Sequence, residues 1–367
     1  MPASQGFRSP VPGPSATPIT CELSAAMFSA TPTYTVRFKT IRNHVQSSMV
    51  AILSPKPAFT ETNVPPGSQV GKVFIITGAN QGIGFELVKM LYPTGATIYL
   101  AGRSQERVTK AIEQVISSTK PVPSTPATLK YLYLDLSDLT TVKPAAVTFA
   151  SQEQRLDILW NNAGIGGNPE GTTTKQNIEG HIGINCVAPL LFTQELLPQL
   201  QNASKSATPG SVRIVWTSSL MVETFSPKGG VDFLSIEAKA TTNSKKDYAV
   251  SKAGNLFLSA EAANRWGKFG IVSVCQNPGN LLTNIYSHQS AALMAVLKLF
   301  LYEQKMGAYT LLHAGFSLDI SLDNNGAYVW PFGRTKPMMR QDIVDAIEAG
   351  KAASFWEWCE KKYANFV

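Results

Sequence analysis

The 367-residue chain is sparing with reactive side chains. It has four cysteines, Cys21, Cys186, Cys275 and Cys359, far apart and with no CxxC pair. That excludes a dense disulfide framework and makes a reducing compartment the better expectation. Its four histidines fall in neither HxxxH nor HExxH spacing, so no metal site is expected. Charged residues make up only 16% of the chain, too few for a wholly disordered protein, while 44% apolar residues can fill a core. No clean 18-residue apolar span or secretory leader pattern is present. The segment 291–314 is apolar but broken by Lys298, Glu303, Gln304 and Lys305, and reads as helices packed on a core or lining a substrate mouth, with contact to a membrane surface left open. The net charge of +7 is scattered. Without a basic stripe or base-stacking module, it does not support nucleic-acid binding.

What is present divides the chain in three. Residues 1–70 are punctuated by Pro, Gly and Ser and read as a flexible or strapping extension. Early prolines spoil an amphipathic mitochondrial presequence there, so a cytoplasmic location is expected, with mitochondrial and membrane-peripheral ones as alternatives. From 71 to 333, near-continuous β-branched runs alternate with helix-length segments. The runs are 72–78, 96–102, 129–136, 156–164, 212–219, 270–279 and 327–333. This pattern predicts one α/β domain, a doubly wound parallel sheet of seven strands with helices on both faces. Residues 334–367 have helical spacing, with aromatics that should pack down. Trp216 should be buried, and Cys186 and Cys275 read as small buried apolar residues. His181, His288 and His313 have no partner that marks them as catalytic.

The first strand runs into TGANQGIG, Thr77 to Gly84, and then a helix. Gly78, Gly82 and Gly84 allow a tight turn that a pyrophosphate can approach, with free N–H groups and the positive helix end behind it. The second strand ends in Arg103 and Ser104 rather than an acid. A guanidinium suits a 2′-phosphate, which favours NADP(H) over NAD(H). Asp135 at the end of the third strand suits a helix cap, the adenine amino group, or both. YAVSK places Tyr248 and Lys252 one helical turn apart. A phenol with an ordinary pKa near 10 becomes a usable acid–base group when an ammonium stabilises its phenolate.

Taken together, TGANQGIG, DLSD (135–138), NNAG (161–164), Asn185 of GINCVAPLLFTQ, IVWTSS (214–219), YAVSK and NPGNLLTN (277–284) resemble the short-chain dehydrogenase/reductase family, in its retinol-dehydrogenase-like fungal subgroup, over about 71–333. The resemblance implies a Rossmann fold and an NAD(P)-dependent oxidoreductase. It implies Tyr248 as proton donor and acceptor, Lys252 on the nicotinamide ribose, and Ser219 on the substrate oxygen, with Ser218 in that place if the register is shifted by one. Asn185 would hold a relay water. Asn80, Gln81, Ile83 and the glycines would bind the pyrophosphate, and Asp135 with Leu136 the adenine. Asn161, Ala163 and Gly164 would form the floor, and Pro278, Gly279 and Thr283 would wrap the nicotinamide.

Ser219 and Tyr248 lie 29 residues apart, so residues 220–247 should form an extra lobe at the substrate rim, together with 283–314. Leu281, Leu282, Ile285, Tyr286, Met294, Phe300 and Tyr302 suggest a lipophilic or aromatic carbonyl or alcohol as substrate. Secondary metabolism and a homodimer are further expectations. The alternatives are a catalytically silent nucleotide-sensing or scaffold protein, and a C=C reductase or epimerase on the same fold.

Overall fold

The computed structural model describes residues 56–237, 243–281, 301–338 and 340–367. The sheet follows the predicted alternation. Strands β1 (Val73–Thr77), β2 (Thr97–Gly102), β3 (Thr128–Tyr133), β4 (Ile158–Asn161), β5 (Val212–Thr217), β6 (Ile271–Gln276) and β7 (Tyr328–Trp330) are parallel and stand in the order β3-β2-β1-β4-β5-β6-β7. Every residue of β1, β4, β5 and β6 is buried, as a sheet covered on both faces requires.

The predicted count of seven strands is corrected to eight. β8 (Arg334–Thr335) pairs antiparallel with β7 at the sheet edge. The chain reverses through Gly333, at φ +86°, and two residues are too few to carry an alternating pattern.

One face is covered by α1 (Gly82–Leu91), α2 (Gln105–Ser118) and α9 (Gln304–Phe316), and the other by α3 (Val142–Gln152), α4 (Ala188–Glu195), α5 (Leu197–Ser204) and the 23-residue α8 (Ser244–Trp266). Two short helices, α6 (Met221–Phe225) and α7 (Phe233–Glu237), stand in the extra sequence between β5 and α8. Ser104 caps α2 by accepting from the Arg107 amide, and Asn243 caps α8 by accepting from that of Lys246. Within the expected rim segment 283–314, residues 304–314 lie in α9, which buries Ala308, Leu311 and Leu312 in the core. Trp216 is buried, its indole donating to Ser273 Oγ at 3.0 Å.

The tail forms α10 (Gln341–Glu348) and α11 (Lys351–Tyr363). Its aromatics do pack down. Phe355 and Trp356 are fully buried, with Trp356 edge-on to Trp266 of α8 at 5.1 Å. β1 has β2 on one side and β4 on the other. The strand order therefore reverses at their C-terminal ends, where a crevice opens.

Candidate active site

That crevice is a cleft of about 900 Å³ running from the β1–α1 turn to the start of α8. At one end lie Gly78, Asn80, Gln81, Gly82 and Ile83, with the first amides of α1 behind them. Gly78 and Gly82 adopt φ +66° and +67°, which side chains resist. A Cβ on Gly84 would meet Asn162 Nδ2 at 2.6 Å, so glycine is required for α1 to sit this close to β4.

Thr77 ties the turn to the NNAG segment. Its hydroxyl donates to the Trp160 carbonyl and accepts from the amides of Asn162 (3.0 Å) and Ala163 (2.9 Å). Asn162 Nδ2 returns a bond to the Thr77 carbonyl at 2.8 Å. Asn162 and Ala163 line the cleft. Asn161 faces away and donates to Thr193 at 2.9 Å. Sequence reasoning chose Asn161 and missed Asn162 and Thr77. Adjacent residues of a strand point to opposite faces, and a repeated NN pair hides which one turns inward.

The other end gathers the residues singled out for chemistry. Tyr248, Lys252, Ser218, Ser219, Gly164, Pro278 and Gly279 all border the cleft. Lys252 is buried, donates to the Thr217 carbonyl at 3.0 Å, and lies 5.6 Å from the centre of the Tyr248 ring. Desolvation pulls its pKa down to about 8. Ser218 is fully buried and spends its hydroxyl proton on the Lys252 carbonyl at 2.9 Å. Half-buried Ser219 accepts from the Met221 amide at 3.2 Å, so this bond leaves its proton for another acceptor.

Asn185 sits within a π-helical turn, Gly183–Val187, just ahead of α4. Such turns insert one residue and re-aim a side chain. Asn185 accepts from the Ile165 amide (2.8 Å) and donates to the Ile165 carbonyl (3.0 Å) and Ser251 Oγ (2.9 Å). It thereby ties the loop after β4 to α8. Gly164 is pressed between this amide and the lysine: a Cβ there would stand 3.0 Å from both Asn185 Oδ1 and Lys252 Nζ. At Gly166 a Cβ would stand 3.0 Å from the Tyr248 ring. His181, buried and bonded through Nδ1 to Glu179 at 2.8 Å, meets that ring edge-on at 6.0 Å. Gly166 and His181 were missed as neighbours of the tyrosine, since neither stands in a motif with it.

Arg103, Ser104, Asp135 and Leu136 lie outside the cleft wall. Arg103 is exposed at the end of β2, and its side chain makes no hydrogen bond or ion pair with any described residue. Ser104 is the α2 cap. Asp135 accepts from the amide and hydroxyl of Ser137 at 3.0 and 2.6 Å, while Asp138 caps the turn that follows. Leu136 is buried. Leu281 lines the cleft, and Tyr302 packs edge-on against Phe332 at 4.9 Å. Leu282, Thr283, Ile285, Tyr286, His288, Met294 and Phe300 lie outside the described residues.

The donor set fits a dinucleotide: a glycine turn without Cβ atoms, a helix N-terminus, and a buried ammonium at opposite ends of one long cleft. Among the described residues, no group of three or more His, Cys, Asp or Glu could hold a metal ion, and no helix is long and apolar enough to cross a membrane.

The family profile described as short chain dehydrogenase matches residues 72–293. The chain belongs to the short-chain dehydrogenase/reductase family. It is thus an oxidoreductase acting on CH–OH and carbonyl groups. It is 59% identical over 314 residues to the short-chain dehydrogenase/reductase iacJ of Pestalotiopsis fici, covering 85% of this chain and 96% of that protein. A Phomopsis amygdali short-chain dehydrogenase/reductase is 38% identical over 338 residues, covering 89% and 98%. Among solved structures, the fold resembles NADPH-bound carbonyl reductase from chicken fatty liver, with TM-score 0.54 and 23% identity over 74% of this chain and all of that one.

Proposed function

We propose that this member of the family is an NADP(H)-dependent reductase or dehydrogenase interconverting a lipophilic or aromatic ketone or aldehyde and its alcohol. The observation that carries the reading is the convergence of Ser219, Tyr248 and Lys252 on the cleft that begins at the glycine turn. When bound, the dinucleotide supplies or accepts the hydride. Gly78, Asn80, Gln81, Gly82 and Ile83 would hold its pyrophosphate, Ala163, Gly164 and Lys252 its nicotinamide ribose, and Pro278 and Gly279 the ring.

In reduction Tyr248 gives its proton to the substrate oxygen, and in oxidation it takes that proton back. Ser219 donates to the same oxygen and opposes the charge that develops there. Lys252, desolvated beside the ring, favours the phenolate. Asn185 acts as a positioning residue: with both amide protons bonded to Ile165 and Ser251, it fixes the loop that carries Gly164 and Gly166. The fit to NADP(H) rests on Arg103, an unengaged guanidinium where the second strand ends. Leu220, Met221, Phe225 and Leu281 give the substrate half its apolar character. A role in secondary metabolism and a cytoplasmic location belong to the same reading, the first supported by fungal relatives and the second by the scattered cysteines.

The test is a coenzyme-oxidation screen of lipophilic and aromatic ketones and aldehydes with NADPH and with NADH. Turnover with NADPH preferred supports the reading. Coenzyme binding without turnover of any carbonyl would replace it with the nucleotide-sensing alternative.

A further inference from the structure

The wall of the substrate half is a short helix that cannot hold itself. α6 has five residues, fewer than two turns, and isolated helices of that length are unstable in water. Its residues Met221, Thr224 and Phe225 line the cleft, while Val222 and Glu223 are buried on its inner side. Beyond its packing on α8 and the core contact of Val222, its polar anchoring comes from more than a hundred residues away, in the tail.

The Arg340 guanidinium donates through Nη1 to the Val222 carbonyl at 3.2 Å, and to the Ser226 carbonyl and hydroxyl at 3.4 and 3.3 Å. Through Nη2 it donates to the Pro227 carbonyl at 3.1 Å. Nε and Nη2 also fork onto Asp342, both at 2.7 Å. Asp342 in turn accepts the Gly229 amide at 2.8 Å, and Lys351 of α11 donates to the Gly229 carbonyl at 3.0 Å. The last carbonyls of α6 and the turn after it are thus held by a planar, bidentate cation that is itself locked by its own carboxylate.

We propose that Arg340, locked by Asp342, is the positioning residue of the substrate wall, so that the C-terminal extension determines which carbonyl compounds fit the cleft. The inference rests on the reading above, in which 219–225 borders the substrate. Arg340 touches none of the reacting groups. It acts through Val222, Ser226 and Pro227 on the angle at which Met221, Thr224 and Phe225 enter the cleft. Lysine cannot replace it, because one ammonium on a flexible stem cannot span three backbone carbonyls and a carboxylate at once.

The test uses the full chain with Arg340→Gln, Arg340→Lys and Asp342→Asn. Each is assayed with a bulky aromatic ketone and with a small aliphatic aldehyde, alongside NADPH affinity by fluorescence. For Arg340→Gln the expected result is a KM for the bulky ketone raised about tenfold or more, with kcat within about twofold. The small aldehyde's kcat/KM and the NADPH affinity stay unchanged, and Arg340→Lys recovers only part of the loss. Equal losses for both substrates, or full recovery with lysine, would overturn the proposal. Backbone hydrogen exchange over 221–229 gives a reading that needs no turnover. Faster exchange confined to that segment in Arg340→Gln and Asp342→Asn supports the clamp, and unchanged exchange overturns it. If the wild-type protein turns over no carbonyl compound, the functional reading falls while the exchange measurement still decides the clamp.

Discussion

Lys252 places its ammonium 5.6 Å from the centre of the Tyr248 ring while donating to the Thr217 carbonyl at the end of β5. One strand end thereby fixes the cation, and one turn of α8 fixes the phenol relative to it. Tyr248→Phe keeps the ring and its packing against Gly166 and His181 but removes the proton. It should lower kcat for carbonyl reduction by roughly 10²–10⁴. NADPH binding, followed by fluorescence titration, should stay within about twofold, since the variant alters no charge in the cleft. Retained turnover would refute the role given to the phenol.

Burial lowers the Lys252 pKa to about 8, so its positive charge is present below that pH and lost as pH rises through it. NADP⁺ affinity of the free enzyme should therefore weaken above pH 8 as the cleft loses a cation. In Lys252→Met, affinity should be lower throughout and lack this limb. Titrations from pH 6.5 to 9.5 check both. A limb that survives in the methionine variant would assign it to another group.

Gly164→Ala tests the packing that sets this geometry. The new Cβ would crowd Asn185 Oδ1 and Lys252 Nζ, each 3.0 Å away, and one must move. A displacement of tenths of an ångström at the lysine should lower kcat about tenfold or more, with circular dichroism and thermal midpoint little changed. Wild-type kinetics in this variant would show that the lysine position is not tightly set.

The strands and the order of the motifs were legible because parallel strands buried on both faces leave near-continuous apolar runs, and because glycine at a phosphate turn has few substitutes. Tyr248 and Lys252 were legible because helical spacing alone puts them on one face. Side-chain direction was harder. Ser218 and Ser219 both border the cleft and differ in that Ser218 commits its hydroxyl to the Lys252 carbonyl. Asn161 ends β4 facing away from the cleft, while Asn162, the next residue, lines it. The π turn at Asn185 has no pattern of its own, since one inserted residue merely shifts an apolar stripe. The two-residue β8 and the Arg340 clamp depend on contacts that local periodicity does not carry.

Arg103 decides the coenzyme prediction. Its exposed guanidinium at the end of β2 is engaged by no described residue, so binding an anion would break no existing ion pair. Arg103→Ala should raise KM for NADPH about tenfold or more, a loss of about 1.4 kcal/mol, and leave KM for NADH within about twofold. The NADPH preference should also narrow as salt rises, because an exposed charge pair is screened. Parallel changes for both coenzymes would remove Arg103 from 2′-phosphate recognition.

Glu223, on the buried side of α6, gives a pH signature of its own. Desolvation pushes its carboxyl from 4.5 up to about 7, helped by the Asp342 carboxylate and opposed by the Arg340 guanidinium. Between those values the folded protein keeps a proton that the unfolded chain has released. Stability from this group is therefore fully present below the unfolded value and falls as pH rises towards 7. Above pH 7 the accumulated loss is on the order of 3 kcal/mol. Glu223→Gln keeps the shape and removes the titration. Urea midpoints should then be similar for the two proteins near pH 4.5, with the variant gaining steadily up to pH 7 and keeping a constant lead above it. If the two midpoint curves ran parallel across that range, the carboxyl would have to be ionised within the fold, and Arg340 would have to outweigh the desolvation of the wall.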